Sequence, residues 1–189
     1  MKLDVEAIAA YLREHPERNN VWFRSYPELK SLPELPSTLT MLYVSSCDSL
    51  TNLSVLPSQL SILRLENIPE LTSLPELPST LCTLQVTNCP GIETLPELPS
   101  SLCTLEVTNC PGIKTLPELP NSLCTLELTN CPGIKKLPEL PSQLVELHLK
   151  DCPNILNLPD WPPTLKSGWV QNCPGILRVH LGNMRMYFR

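Results

Sequence analysis

Hydrophobic residues recur along this 189-residue chain with a period of 21. Units begin at Leu32, Leu53, Leu74, Leu95, Leu116, Leu137 and Leu158, and seven of them reach Arg178 without an insertion. The fourth reads LPELPSSLCTLEVTNCPGIKT. Leucine or isoleucine returns at unit positions 1, 4, 8, 11 and 19, valine or leucine at 13, and cysteine or isoleucine at 16; Gly168 at position 11 is an exception. Positions 9 to 14, Cys103 to Thr108 in this unit, alternate. Leu105 and Val107 face one way and Thr104, Glu106 and Thr108 the other, the period of a half-buried strand. The Asn-Cys-Pro-Gly segment that follows predicts a turn, in which proline fixes φ and glycine is expected to take a positive φ. Leu-Pro-Glu-Leu-Pro then returns the chain, since proline excludes helix and suits extended, polyproline-like backbone. One such coil cannot bury its leucines. Stacked coils can, as a parallel sheet with one strand per unit, strands about 4.8 Å apart, over a continuous leucine core.

The ends read as caps. Residues 1–31 predict an N-terminal helical cap, 32–178 the array, and 179–189 a C-terminal cap. Asp4 can cap a helix through about Glu14 with Val5, Ile8, Ala9 and Leu12 on one face and Pro16 beyond it. Trp22, Phe23 and Tyr26 are expected in the core between helix and array. The tail from Val179, through Met184, Met186 and Phe188, is expected to cover Trp169 and the last leucines, because an open solenoid end exposes a core.

Composition narrows the choice. Leucine supplies 37 residues and proline 22, against 6 glycines; proline at about 12% is more than twice ordinary usage, which argues against helical bundles. The formal charge of -5 gives no reason to expect nucleic acid. No apolar run is long enough for a membrane span, and the charged N-terminus lacks the apolar core of a secretory signal.

Leu102-x-x-Leu105-x-Val107-x-x-Cys110-x-x-Ile113 resembles the cysteine-type leucine-rich-repeat core, and the Leu-Pro-Glu-Leu-Pro lead resembles the LPX-type repeats of injected bacterial effectors, including Legionella-type secreted ones. The resemblance implies a leucine-rich-repeat solenoid with a parallel sheet on its concave face and an extended convex side. A weaker likeness to the repeats of plant immune receptors is disfavoured by a chain that starts at Met1 with no nucleotide-binding segment. The best-known LPX effectors use 20-residue asparagine-type units, and some continue into a ubiquitin ligase with a Cys-x-Asp site. No Cys-x-Asp occurs here, so that activity is not implied.

Nine cysteines raise the question of disulfides or metal. Cys47, Cys89, Cys110, Cys131, Cys152 and Cys173 share position 16 with Ile68, and a slot that accepts isoleucine is buried; these thiols read as an inert ladder offering weak S–H donors to turn carbonyls. Cys82, Cys103 and Cys124 share position 9, where bridging stacked strands would need unusual Cβ geometry. An odd, thiol-rich count fits a reducing compartment. No metal or cofactor is expected. Cys-x-x-Cys and His-x-x-x-His are absent, and three thiols on separate strands cannot converge on zinc. Of His15, His148 and His180 only His148 lies within the array, at the opposite parity from Cys124, which argues against a Cys–His dyad. Phosphate-loop, nucleophile-elbow and zinc-protease motifs are also missing.

Function then falls to the outward strand face. Position 12 reads Tyr43, Arg64, Gln85, Glu106, Glu127, His148 and Trp169; position 10 ends in Glu146; position 14 includes Glu66, Lys150 and Gln171. Tyr43 and Trp169 are of the type enriched at interface hot spots, although Trp169 could instead fill the space beside Gly168. Glu106, Glu127 and Glu146 set like charges on neighbouring strands, unfavourable unless a cation answers them; either a partner's Lys or Arg does so, or these are solvated copies of a duplicated unit. The acidic row Glu34, Glu76, Glu97, Glu118, Glu139 and Asp160 is expected to be a solvated back surface. The reading is a non-enzymatic, monomeric protein-binding effector that masks a host protein or another effector, moving from the bacterial cytoplasm to the host cytosol. Alternatives are an adaptor recruiting substrate to a separate ubiquitin-ligase-type enzyme, and an enzyme using Cys103 or Cys124.

Overall fold

The computed structural model describes residues 5–156 and 158–176. A helix, α1 (Val5–Glu14), precedes eight strands: β1 (Asn20–Arg24), β2 (Met41–Ser45), β3 (Ile62–Glu66), β4 (Thr83–Thr87), β5 (Thr104–Thr108), β6 (Thr125–Thr129), β7 (Glu146–Lys150) and β8 (Ser167–Gln171). They form one parallel sheet in chain order. Every pair keeps the 21-residue register, as in Glu106↔Glu127 and Leu105↔Leu126. A one-residue slip would turn the whole apolar column toward water. Leu84, Leu105, Leu126 and Leu147 are fully buried, and each such side chain contributes roughly 1.5–3 kcal/mol, so the register is fixed many times over.

The sheet has one strand more than the seven units predict. Residues 20–29 repeat the strand and turn of a unit whose Leu-Pro lead is missing: Val21 and Phe23 fill the apolar slots, Tyr26 takes the cysteine slot and Leu29 the position-19 slot. Phe23 is buried and Tyr26 packs against the core, as expected. Trp22 does not. It stands on the outward face, 63% exposed, in register with Tyr43. Ile8 and Leu12 of α1 join the same core. Asp4 and the tail from Val179 onward lie outside the described residues. Among the described residues, no helix is long and apolar enough to cross a membrane.

The turn is built differently from the expectation. Among the described residues no glycine has a positive φ; instead Ser25, Ser46, Asn67, Asn88, Asn109, Asn130, Asp151 and Asn172, all at position 15, lie at φ 50–58°. Asparagine and aspartate tolerate this left-handed region better than most side chains. Asn88, Asn109 and Asn130 each donate from Nδ2 to the Oδ1 of the asparagine one coil earlier, at 2.7, 2.7 and 2.8 Å. Proline then opens a turn closed by Ile113 N donating to Cys110 O at 3.3 Å and its equivalents. Glycine is needed for space. A Cβ on Gly112 would lie 2.4 Å from Pro90 O, and one on Gly133 2.3 Å from Ile113 O, so a hydrogen is what lets successive turns close up there.

Coils are also joined at their rims. Ser101 and Ser122 hydroxyls donate to Leu81 O and Leu102 O at 2.6 and 2.7 Å, and Thr80 and Thr164 do the same one coil back. On the return side an isolated parallel bridge joins Thr94 and Thr115.

Candidate functional site

Strand alternation lifts three columns of side chains off the sheet, and the 21-residue register aligns them. The middle column runs Trp22, Tyr43, Arg64, Gln85, Glu106, Glu127, His148, Trp169. Thr83, Thr104 and Thr125 flank it on one side and Thr87, Thr108 and Thr129 on the other. Column neighbours are only a strand spacing apart, so their side chains can reach one another.

At the N-terminal end the Arg24 guanidinium lies 5.2 Å from the centre of the Tyr43 ring, a cation–π contact. The Tyr43 hydroxyl donates to Glu66. Tyr43 is therefore held between two charged neighbours. In the centre, Gln85 Nε2 donates to Glu106 at 2.7 Å and the Thr125 hydroxyl to Glu146 at 3.5 Å. Glu127 is 3.8 Å from His148 Nδ1. At the C-terminal end the His148 and Trp169 rings stack, with centroids 5.1 Å apart and planes 20° from parallel. Trp169 thus belongs to the face and does not fill the space beside Gly168.

All eleven residues singled out from sequence stand on this one surface: Tyr43, Arg64, Gln85, Glu106, Glu127, His148 and Trp169 in the middle column, Glu146 beside them, and Glu66, Lys150 and Gln171 along the other edge. Arg64, Lys150 and Gln171 make no side-chain hydrogen bond or ion pair with another described residue. Sequence reasoning missed Trp22 and Arg24. The spacing was available, since Trp22 lies 21 residues before Tyr43 and Ser25-Tyr26-Pro27 sits one period before Ser46-Cys47-Asp48.

The thiols form two sets. Those at position 16 are buried and point at backbone carbonyls: Cys110 Sγ is 3.3 Å from Thr108 O and 3.7 Å from Val86 O, and Cys131 Sγ 3.4 Å from Thr129 O and 3.5 Å from Val107 O. Burial pushes the Cys89 and Cys110 thiols up to about 11, so they stay protonated donors at neutral pH. Cys82, Cys103 and Cys124 are half-buried, and all nine cysteines are unbridged. Among the described residues no group of three or more His, Cys, Asp and Glu is placed to hold a metal ion. The return side carries a cleft of about 480 Å³ lined by Leu77, Pro78, Glu97 and Leu98, remote from the strand face by construction of the coil.

Among solved structures, the leucine-rich-repeat domain of the type III effector XopL is similar over 86% of this chain and 81% of its own, at 18% identity and a TM-score of 0.54. The fold is a leucine-rich-repeat solenoid. YopM from Yersinia enterocolitica aligns over 84% of this chain and 48% of its own, at 23% identity, but its TM-score of 0.30 adds nothing to the assignment. No family model and no curated protein sequence matches the chain. The leucine-rich-repeat sheet is its concave face, and the three columns lie along it.

Proposed function

We propose that this solenoid is a non-enzymatic protein-binding module, a secreted bacterial effector that holds and masks a protein on the outward face of its sheet. One observation carries the reading. The inward columns are leucine, valine or isoleucine in nearly every coil and are buried, while position 12 presents Trp, Tyr, Arg, Gln, Glu, Glu, His and Trp in turn. Packing dictates the first pattern. Nothing in the fold dictates the second, and extended solenoid surfaces of this kind bind other macromolecules. The effector part rests on likeness of fold and on the Leu-Pro-Glu-Leu-Pro leads, an argument by analogy. A bacterial protein acting in the host cytosol, against a host protein or a second effector, accords with nine unbridged thiols.

The test is affinity capture from bacterial and eukaryotic lysates with three baits: the natural protein, Glu106→Lys/Glu127→Lys on the face, and Glu97→Lys/Glu118→Lys on the return side. Proteins kept by the natural and return-side baits and lost from the face variant are expected. Loss from the return-side variant alone would move the binding surface to the other flank.

A further inference from the structure

The face is asymmetric along its length. Trp22 is the large aromatic group left open at the N-terminal end, since Tyr43 is taken up by Arg24 and Glu66 and Trp169 by His148. Four strands on, Glu106 and Glu127 stand in register on β5 and β6. Gln85 donates to Glu106 and His148 Nδ1 lies 3.8 Å from Glu127, and no lysine or arginine among the described residues pairs with either. Arg64 stands between the two regions, exposed and without an anionic partner among the described residues. Threonines flank the ladder on β4 to β6, and Met41, Ser45, Ile62 and Glu66 flank it on β2 and β3; an extended segment following the middle column crosses Tyr43 and Arg64 to reach Glu106.

Resting on the reading of this face as a protein-binding surface, we infer that its occupant is an extended polypeptide segment gripped at two points: an apolar residue packed on Trp22 and two consecutive basic residues over Glu106 and Glu127. Geometry sets the spacing. Trp22 and Glu106 are four strand intervals apart, about 19 Å at roughly 4.8 Å each. A segment in polyproline conformation advances about 3.1 Å per residue, so the first basic residue falls six positions after the apolar one, over Glu106, and the next, about 22 Å along, is within side-chain reach of Glu127 at about 24 Å. Arg64, two intervals from Trp22, sits under about the third residue and repels a cation there. A segment basic throughout is therefore disfavoured, and the pattern selects against merely cationic chains.

The test uses rigid peptide rulers. Fluorescein-labelled peptides with one leucine, a run of two, five or nine prolines, and a terminal Arg-Arg are titrated with the full chain and followed by anisotropy at two salt concentrations. The five-proline ruler is expected to bind about tenfold or more tightly than the other two. Trp22→Ala should remove that preference, Trp22→Phe should restore most of it, and Glu106→Gln/Glu127→Gln should weaken binding and flatten its salt dependence. Urea unfolding of each variant checks the fold; Trp22 is exposed, so its replacement leaves the core intact. Equal affinity for the three rulers, no binding of any, or indifference to Trp22→Ala overturns the two-point grip. If the rulers are equal while the glutamate variants still lose a captured protein, the face remains the binding surface and only the grip fails. If capture depends on the return side, both readings fall.

Discussion

The two flanks of each coil solve the same problem, turning the chain back toward the sheet, by different means. On the turn flank, backbone conformation, side-chain hydrogen bonds and close packing all act at single residues: a positive φ at position 15 in every coil, an asparagine ladder with bonds of 2.7–2.8 Å, and thiols aimed at carbonyls. The return flank has exposed glutamates at position 3, an isolated bridge and inter-coil backbone bonds as long as 3.3–3.4 Å, such as Lys114 N to Glu93 O and Leu156 N to Lys135 O. The turn flank is specified atom by atom and the return flank chiefly by leucine volume and proline stiffness.

Glycine substitution tests this contrast most severely. Gly133→Ala drives a methyl group into two backbone carbonyls that cannot rotate away, and should destabilise the fold by about 1–3 kcal/mol. Glu118→Ala on the return flank should change stability by less than about 0.5 kcal/mol. Urea unfolding under reducing conditions measures both, and equal losses would erase the distinction.

Asparagine replacement separates conformation from hydrogen bonding. Asn109→Ala forces an unsuited residue into the left-handed region, a cost of about 1–2 kcal/mol, and removes the bond it donates to Asn88 and the bond it accepts from Asn130. Asn109→Gly keeps φ and loses only these two bonds, so it should recover the part of the loss that belongs to φ. Indistinguishable midpoints for the two variants would show that φ is not what selects asparagine.

The smallest effect per residue is that of pH. Cys89 and Cys110 are neutral in the fold up to about 11, above their ordinary value of 9, because burial opposes the thiolate. Their contribution is complete below pH 9 and disappears as pH rises from 9 through 11, by about 1 kcal/mol per thiol at pH 10. Unfolding free energy should fall across that window, and Cys89→Ile/Cys110→Ile, with the residue that Ile68 already places in this column, should flatten the fall. A variant that keeps the same slope would assign the pH effect to other groups.

Much of this architecture was legible in sequence because packing repeats it. Leu105, Val107 and Cys110 recur at a fixed offset, and one period yields the strand, its register and the buried columns. β1 escaped because its coil, the first along the chain, lacks Leu-Pro-Glu-Leu-Pro, the most conspicuous part of the unit, while Val21, Phe23 and Leu29 keep the part that forms a strand. The turn was misread because glycine next to proline suggests a φ requirement; the true reason, the carbonyl of Pro90 beneath Gly112, belongs to a neighbouring coil and has no local signature. Face residues were identifiable by parity. Their mutual engagement was not, since whether Gln85 turns to Glu106 or Arg24 to Tyr43 depends on rotamers that periodicity does not fix.

The rim and turn side chains that reach between coils share one direction. Thr80, Asn88, Ser101, Asn109, Ser122, Asn130, Asn154 and Thr164 all donate to acceptors in the coil before their own. The turn amides of Asn67, Asn88 and Asn109 donate the other way, to Thr87, Thr108 and Thr129 carbonyls of the coil ahead, so these interior joints are closed from both sides: side chains reach back and turn amides reach forward.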